Sequence, residues 1–465
     1  MGIAISDWRL ADAVARTGQL GVVSGTGISR IFTSRLMDGD KEGNIRRALA
    51  KFPFRDAAEK ILDRYYIPGG KSPETRYRAQ PVYTIEPSRF LDQLTVIANF
   101  TEVFLAKENH EGIIGINLLE KVQMQNLASL YGAMLAGVDY VLMGAGIPTQ
   151  VPAILDKLAK HEPVSYRLDV FGALPEDNYR MHFDPEKIFP GISKLKGELK
   201  RPKFLPIVSS NILVQALIKR SEGSIDGFII EGPTAGGHNA PPRGVLRLNS
   251  DFEPLYGIKD FVDLEKVKSY GLPFWLAGGY GNFEKLQEAR NAGAAGIQVG
   301  TLFSLCEESG MANSLKSKVL QKVLDRDMRI FTSSTVSPTG FPFKVAAVEG
   351  TISDQDVYES RTRICDLGFL RTLFKDEHGH ISYRCSAEPV RDYIRKGGKL
   401  EDTEGRTCLC NNLVSAAGFP QIRKNGYTEP PLVTSGDDLF TVMKLISPEK
   451  INYSAKDVVN YLMSA

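Results

Sequence analysis

Seven short apolar runs, rich in β-branched residues, constrain this chain more than any other feature. They are Leu20-Gly-Val-Val-Ser24, Ile113-Ile-Gly-Ile-Asn117, Tyr140-Val-Leu-Met143, Phe204-Leu-Pro-Ile-Val208, Gly227-Phe-Ile-Ile230, Phe274-Trp-Leu-Ala277 and Gly296-Ile-Gln-Val299. Near-continuous apolar strands are buried on both faces, as a parallel sheet requires. Amphipathic stretches lie between them. Gln125 to Ala136 stops before Gly137, and Phe283 to Ala292 before Gly293, glycines that can end a helix. The alternation predicts an α/β fold with crossover connections, a (β/α)8 TIM barrel. The eighth strand would have to come from the N-terminus, where only Met1 to Ser6 precede a helix expected over Asp7 to Gly18.

Three segments break the alternation. The expected division is a barrel domain over 1–350, with helical insertions at about 31–111 and 163–202, and a C-terminal extension over 351–465. Helical stretches are expected at Asn44 to Phe52 and Pro87 to Phe100, a strand at Ser165 to Val170, and a helix near Ala455 to Met463. With 57 basic against 55 acidic residues the charges balance, so neither nucleic acid nor an anionic membrane is an expected partner. No apolar run approaches the ~18–20 residues that span a bilayer. The N-terminal residues lack the basic and apolar regions of a signal peptide, and five cysteines do not make a disulfide scaffold. A cytoplasmic location is expected.

The runs end in small or polar residues: Ser24-Gly-Thr-Gly27, Asn117, Gly144-Ala-Gly146, Glu231, Ala277-Gly-Gly279 and Gly300-Thr301. In a barrel these C-terminal ends share one face, where active sites sit. Gly-rich turns leading into helices after the last two runs present backbone N–H groups suited to a phosphate. After the fifth run comes Glu231-Gly-Pro-Thr-Ala-Gly-Gly-His238, which carries one of only six histidines on a glycine pair. A neutral imidazole there can take an α-proton or hydrogen-bond an oxyanion.

Together with Gly18-Gln-Leu-Gly-Val-Val-Ser24, Gly115-Ile-Asn117 and Gln298-Val-Gly-Thr301, these pieces give the chain a resemblance over roughly residues 7 to 345. It resembles the nitronate monooxygenase (2-nitropropane dioxygenase) family, which includes FMN-dependent enoyl-acyl-carrier-protein reductases. The resemblance implies FMN as cofactor. Gly278, Gly279, Gly300 and Thr301 would hold its phosphate. Asn117 and Glu231 would lie by its polar parts, and Ser24, Gly25 and Thr26 near the ring. His238 would be the catalytic residue facing substrate, with Gly236 and Gly237 giving it room. The implied activity is oxidation of a nitronate or nitroalkane by O2. The alternative in the same pocket is NAD(P)H-dependent reduction of an enoyl thioester on an acyl carrier protein. A further alternative is a phosphate-binding barrel enzyme without flavin. A small-molecule substrate is expected in each case, and a homodimer is the expected assembly.

Two regions depart from that pattern. Family members begin with an apolar strand ending in a Pro-Met step; here Met1-Gly2 stands where that strand would end. The C-terminal extension holds Cys365, Cys385, Cys408 and Cys410 in a polar segment, with His378 and His380 between them. Thiolates gathered this way could ligate zinc or an iron–sulfur cluster. The alternative is reduced thiols packed as small hydrophobes. Cys306 is expected to pack on a helix. The run Ser337-Pro-Thr-Gly-Phe-Pro-Phe-Lys344 is expected to loop back over the barrel mouth, where Lys344 could meet an anionic group.

Overall fold

The computed structural model describes residues 2–464. All seven apolar runs form strands: β1 (Gly21–Ser24), β2 (Ile114–Leu119), β3 (Tyr140–Gly144), β4 (Lys203–Val208), β5 (Phe228–Glu231), β6 (Phe274–Ala277) and β7 (Gly296–Gln298). They make one seven-stranded sheet in that order. Every pairing is parallel, with Ser24 opposite Asn117, and Ala277 opposite both Glu231 and Gln298. The sheet curls so that Leu142, Leu205, Ile229 and Ala277 meet on its inner face, with Val22, Ile207 and Trp275 packed beside them. Alternate residues such as Val23, Val141 and Phe204 face the outer layer of helices.

The closed eight-stranded barrel is not formed among the described residues. Residues 3–6 lie beside β1 but turn rather than extend, and Ala4 takes φ 53. This segment still supplies edge hydrogen bonds. Ser24 N–H donates to Ser6 C=O at 2.8 Å and Ser6 Oγ to Val22 C=O at 2.6 Å. The expected position of Met1 lies outside the described residues. On the outer side, the seam between β1 and β7 is covered by a shared core. Leu10 and Val14 of the first helix, Leu302 and Leu305 after β7, and Val458 and Leu462 of the last helix (Ala455–Met463) pack together there.

The first insertion is helical, ending in Arg89–Ala106, which buries most of its length. In the second, Val164–Arg167 pairs antiparallel with Arg180–Phe183, and Val170–Phe171 pairs with Thr372–Lys375 of the C-terminal hairpin. One small sheet matters for the site. The two-residue strand Gly237–His238 lies antiparallel to Phe343–Ala346, which pairs in turn with Ile330–Ser333.

Candidate functional site

The C-terminal ends of the strands open onto a cleft with about 890 Å3 of unfilled space counted out to its mouth. Thr26, Asn117, Glu231, Gly236, Gly237 and His238 all line it. Ser24 and Gly25 stand behind that wall. Ser24 is buried, and a Cβ on Gly25 would lie 2.5 Å from the Ile116 side chain. Thr26 faces the cleft while its hydroxyl accepts the Leu119 N–H at 3.1 Å. Ala145, at the end of β3, lines the cleft in a left-handed conformation, φ 56. A non-glycine residue there carries strain, which concentrates at functional sites.

His238 is fixed from both sides. Its Nε2 is 2.7 Å from Ser337 Oγ, and its ring packs edge-on against Phe343 with centroids 4.8 Å apart. Burial, with Lys121 adding repulsion, lowers its pKa to about 3, so the imidazole is neutral at physiological pH. Burial pushes Glu231 the other way, up to about 7. An acid and an imidazole shifted in opposite directions in one cleft are a mark of a functional site.

The remaining predicted residues gather a short distance away. Gly278 and Gly279 take φ 90 and 74, so the turn after β6 needs glycine. A Cβ on Gly300 would meet nothing within 4 Å, leaving that turn open. Thr301 Oγ1 accepts the N–H of Gly436, a residue of the C-terminal extension.

That extension supplies what the sequence did not reveal. Phe369, Leu370, Leu409, Cys410, Leu413 and Thr434 wall the cleft opposite the strand ends. Ser337, which positions His238, is fully buried and was legible only as part of a Pro/Gly loop. The loop does return over the mouth, with Phe343 lining the cleft. Lys344, however, is buried on Thr332 at 2.9 Å and Asp437 at 2.8 Å rather than facing a ligand.

The cysteine metal site is corrected. Among the described residues no three His, Cys, Asp or Glu side chains are placed to hold a metal ion. His378 and His380 are exposed on the hairpin turn, where their N–H groups donate to Asp376. Cys385 and Cys410 are buried. Hydrogen bonding to Cys385 and burial raise the Cys365 thiol; hydrogen bonding to Cys408 and burial raise Cys410. Cys306 packs in the core beneath the helix after β7.

Comparison with known proteins bears on this geometry. Residues 198–336 match the family described as nitronate monooxygenase. A protein named (3aS,4S,5R,7aS)-5-hydroxy-7a-methyl-1-oxo-octahydro-1H-indene-4-carboxyl-CoA dehydrogenase from Mycobacterium tuberculosis is 29% identical over 231 residues, 48% of this chain and 57% of that protein. The protein of that name from Rhodococcus jostii is 33% identical over 232 residues, with the same 48% and 57% coverage. A probable nitronate monooxygenase from Staphylococcus haemolyticus is 29% identical over 129 residues, 28% of this chain and 34% of that protein. The chain thus spans 57% or less of the length of these relatives. Among solved structures, FabK from Thermotoga maritima aligns with a TM-score of 0.47 at 14% identity, covering 98% of this chain and 88% of that one.

Proposed function

We propose that this chain, whose residues 198–336 match the nitronate monooxygenase family, is an FMN-dependent oxidoreductase acting on a nitronate-like carbanionic substrate with O2 as acceptor. The observation that carries this is the convergence of Thr26, Asn117, Glu231 and His238, from separate strand ends, on one cleft. The donor set suits a flavin. Bare glycines at 236 and 237 flank the cleft, an amide and a carboxyl face into it, and two left-handed glycines form the nearby turn. When bound, FMN would supply the reversible electron transfer that no side chain offers. Gly278, Gly279, Gly300 and Thr301 would hold its phosphate, Asn117 and Glu231 its polar edge, and Ser24, Gly25 and Thr26 would back the ring.

The side chains divide the remaining work. With a pKa near 3, His238 is a weak base, so its role is to hydrogen-bond and orient a substrate oxygen. Glu231, near 7, is matched to accept or return a proton at physiological pH. Phe343, Leu409 and Leu413 make part of the cleft wall apolar, and where a bound substrate displaces water from such a wall each polar contact inside it is strengthened.

The apolar wall contributed by Phe369, Leu370, Leu409 and Leu413 favours a second reading, in which NAD(P)H provides the electrons and an enoyl thioester receives them. Anaerobic reduction of the flavin-loaded protein tests both. Bleaching by a nitronate without pyridine nucleotide is the expected result. Bleaching by NADPH within seconds, and not by nitronate, would overturn the first reading in favour of the second. A protein that takes up no flavin would return the chain to the flavin-free barrel enzymes.

A further inference from the structure

The segment Thr434-Ser-Gly-Asp-Asp438 straps across three strand-end loops that lie far from it in sequence. The Thr434 hydroxyl accepts the Gly237 N–H at 2.7 Å and donates to Lys344 C=O at 2.6 Å. Gly436 N–H donates to Thr301 Oγ1 at 3.2 Å, and Asp437 N–H to Thr234 C=O at 3.0 Å. The fit is backbone against backbone. A Cβ on Gly236 would stand 2.8 Å from Ser435 C and 2.9 Å from Gly436 N.

This strap sets the Asp438 carboxyl between the turn after β6 and the turn after β7. A Cβ on Gly281 would lie 2.7 Å from Asp438 Oδ2, and a Cβ on Gly436 would lie 2.8 Å from both Asp438 Oδ1 and Thr301 Oγ1. Oδ1 is buried with no hydrogen-bond partner. The two turns that flank it are the ones whose glycines suit a phosphate, and the strap's Asp437 already uses the nearby Lys344 ammonium. A carboxylate beside turns suited to an anion repels a second anion placed there.

We propose that Asp438 is a built-in occupant of the phosphate end of the flavin site and sets its specificity. The inference rests on the flavin reading above. The carboxyl competes with the phosphate of FMN, so this chain gains little affinity from that phosphate and holds the flavin chiefly by its ring and ribityl chain. Burial raises the Asp438 carboxyl above the usual carboxylate range, against the Thr301 hydroxyl, as expected for an acid in a poorly solvated cradle.

The test is equilibrium binding of FMN and of riboflavin, followed by flavin fluorescence, to the wild type and to Asp438→Asn. In the wild type the two flavins are expected to bind within about tenfold of one another, and the variant is expected to tighten FMN by about tenfold or more while leaving riboflavin unchanged. A wild type that prefers FMN by more than that, or a folded variant whose two affinities move together, weaken or stay put, overturns the proposal. The wild-type ratio decides if the variant does not fold. Failure of the wild type to bind either flavin would instead overturn the flavin reading, and the proposal with it.

Discussion

At one end of the cleft, Glu231 and His238 stand among apolar walls, and burial holds both toward their neutral forms. Beside the cleft, Gly278 and Gly279 pack against Thr234, while Gly281 and Thr301 meet the Thr434–Asp438 strap through Asp438 and the Gly436 N–H. The first end suits chemistry, because shifted neutral groups can move protons or polarise a substrate at little cost. The second suits holding, because backbone contacts are rigid and admit little change. The contrast teaches that substitutions at the two ends should fail differently: in turnover at one, in stability and cofactor affinity at the other.

The largest expected effect breaks the comparison at its reactive end. His238→Ala should lower kcat/KM about 100-fold or more while the protein still binds flavin; steady-state kinetics beside a flavin absorbance spectrum checks this, and unchanged turnover ends the assignment. Gly436→Ala probes the holding end. Its new Cβ would press on Thr301 Oγ1 and Asp438 Oδ1 at 2.8 Å and on Thr234 C=O at 3.0 Å. A loss of roughly 1–3 kcal/mol in urea unfolding is expected.

The pH dependence of stability sharpens the contrast within the reactive end. His238 has its pKa depressed from 6.5 to about 3, so between those values the unfolded chain binds more protons and stability falls as pH falls. By pH 5 this amounts to about 2 kcal/mol, which His238→Asn should abolish in denaturant titrations at each pH. Glu231 has its pKa raised from 4.5 to about 7, so the folded chain binds more protons there and stability falls as pH rises through that window. Glu231→Gln should flatten that slope. The smallest effect is expected from Ser337→Ala, which removes the 2.7 Å partner of His238 Nε2. A loss of about 1 kcal/mol, roughly fivefold in kcat/KM with binding of flavin unchanged, would mark Ser337 as a positioning residue.

The part of the cleft that holds Glu231 and His238 was largely legible in the sequence. Runs such as Phe274-Trp-Leu-Ala277 can hardly be anything but buried strands, and each places the residue that follows it on one face. His238 and Glu231 come from one contiguous stretch, so reading one located the other. The holding end was not legible. Ser-Gly-Asp-Asp is an ordinary loop signal, and Thr434 meets Gly237 across 197 residues of chain. Only the folded chain shows that Gly236 and Gly436 are small because two backbones touch there. The eighth strand was expected from the arithmetic of barrels, but residues 3–6 turn, with Ala4 at φ 53, and meet the edge of β1 through Ser6. The cysteines misled because Cys365 with Cys385, and Cys410 with Cys408, come together as hydrogen-bonded thiols, and among the described residues they make no group placed to hold a metal. His378 and His380 look close to them in sequence yet point outward from a hairpin turn.

In the proposed function Glu231 and the flavin share this cleft. The most direct measurement is the absorbance spectrum of the bound flavin as a function of pH, in the wild type and in Glu231→Gln. A spectral transition centred near the Glu231 value of about 7, absent from the variant, is the predicted result. A transition that survives in Glu231→Gln, or a bound flavin that shows none, would contradict it.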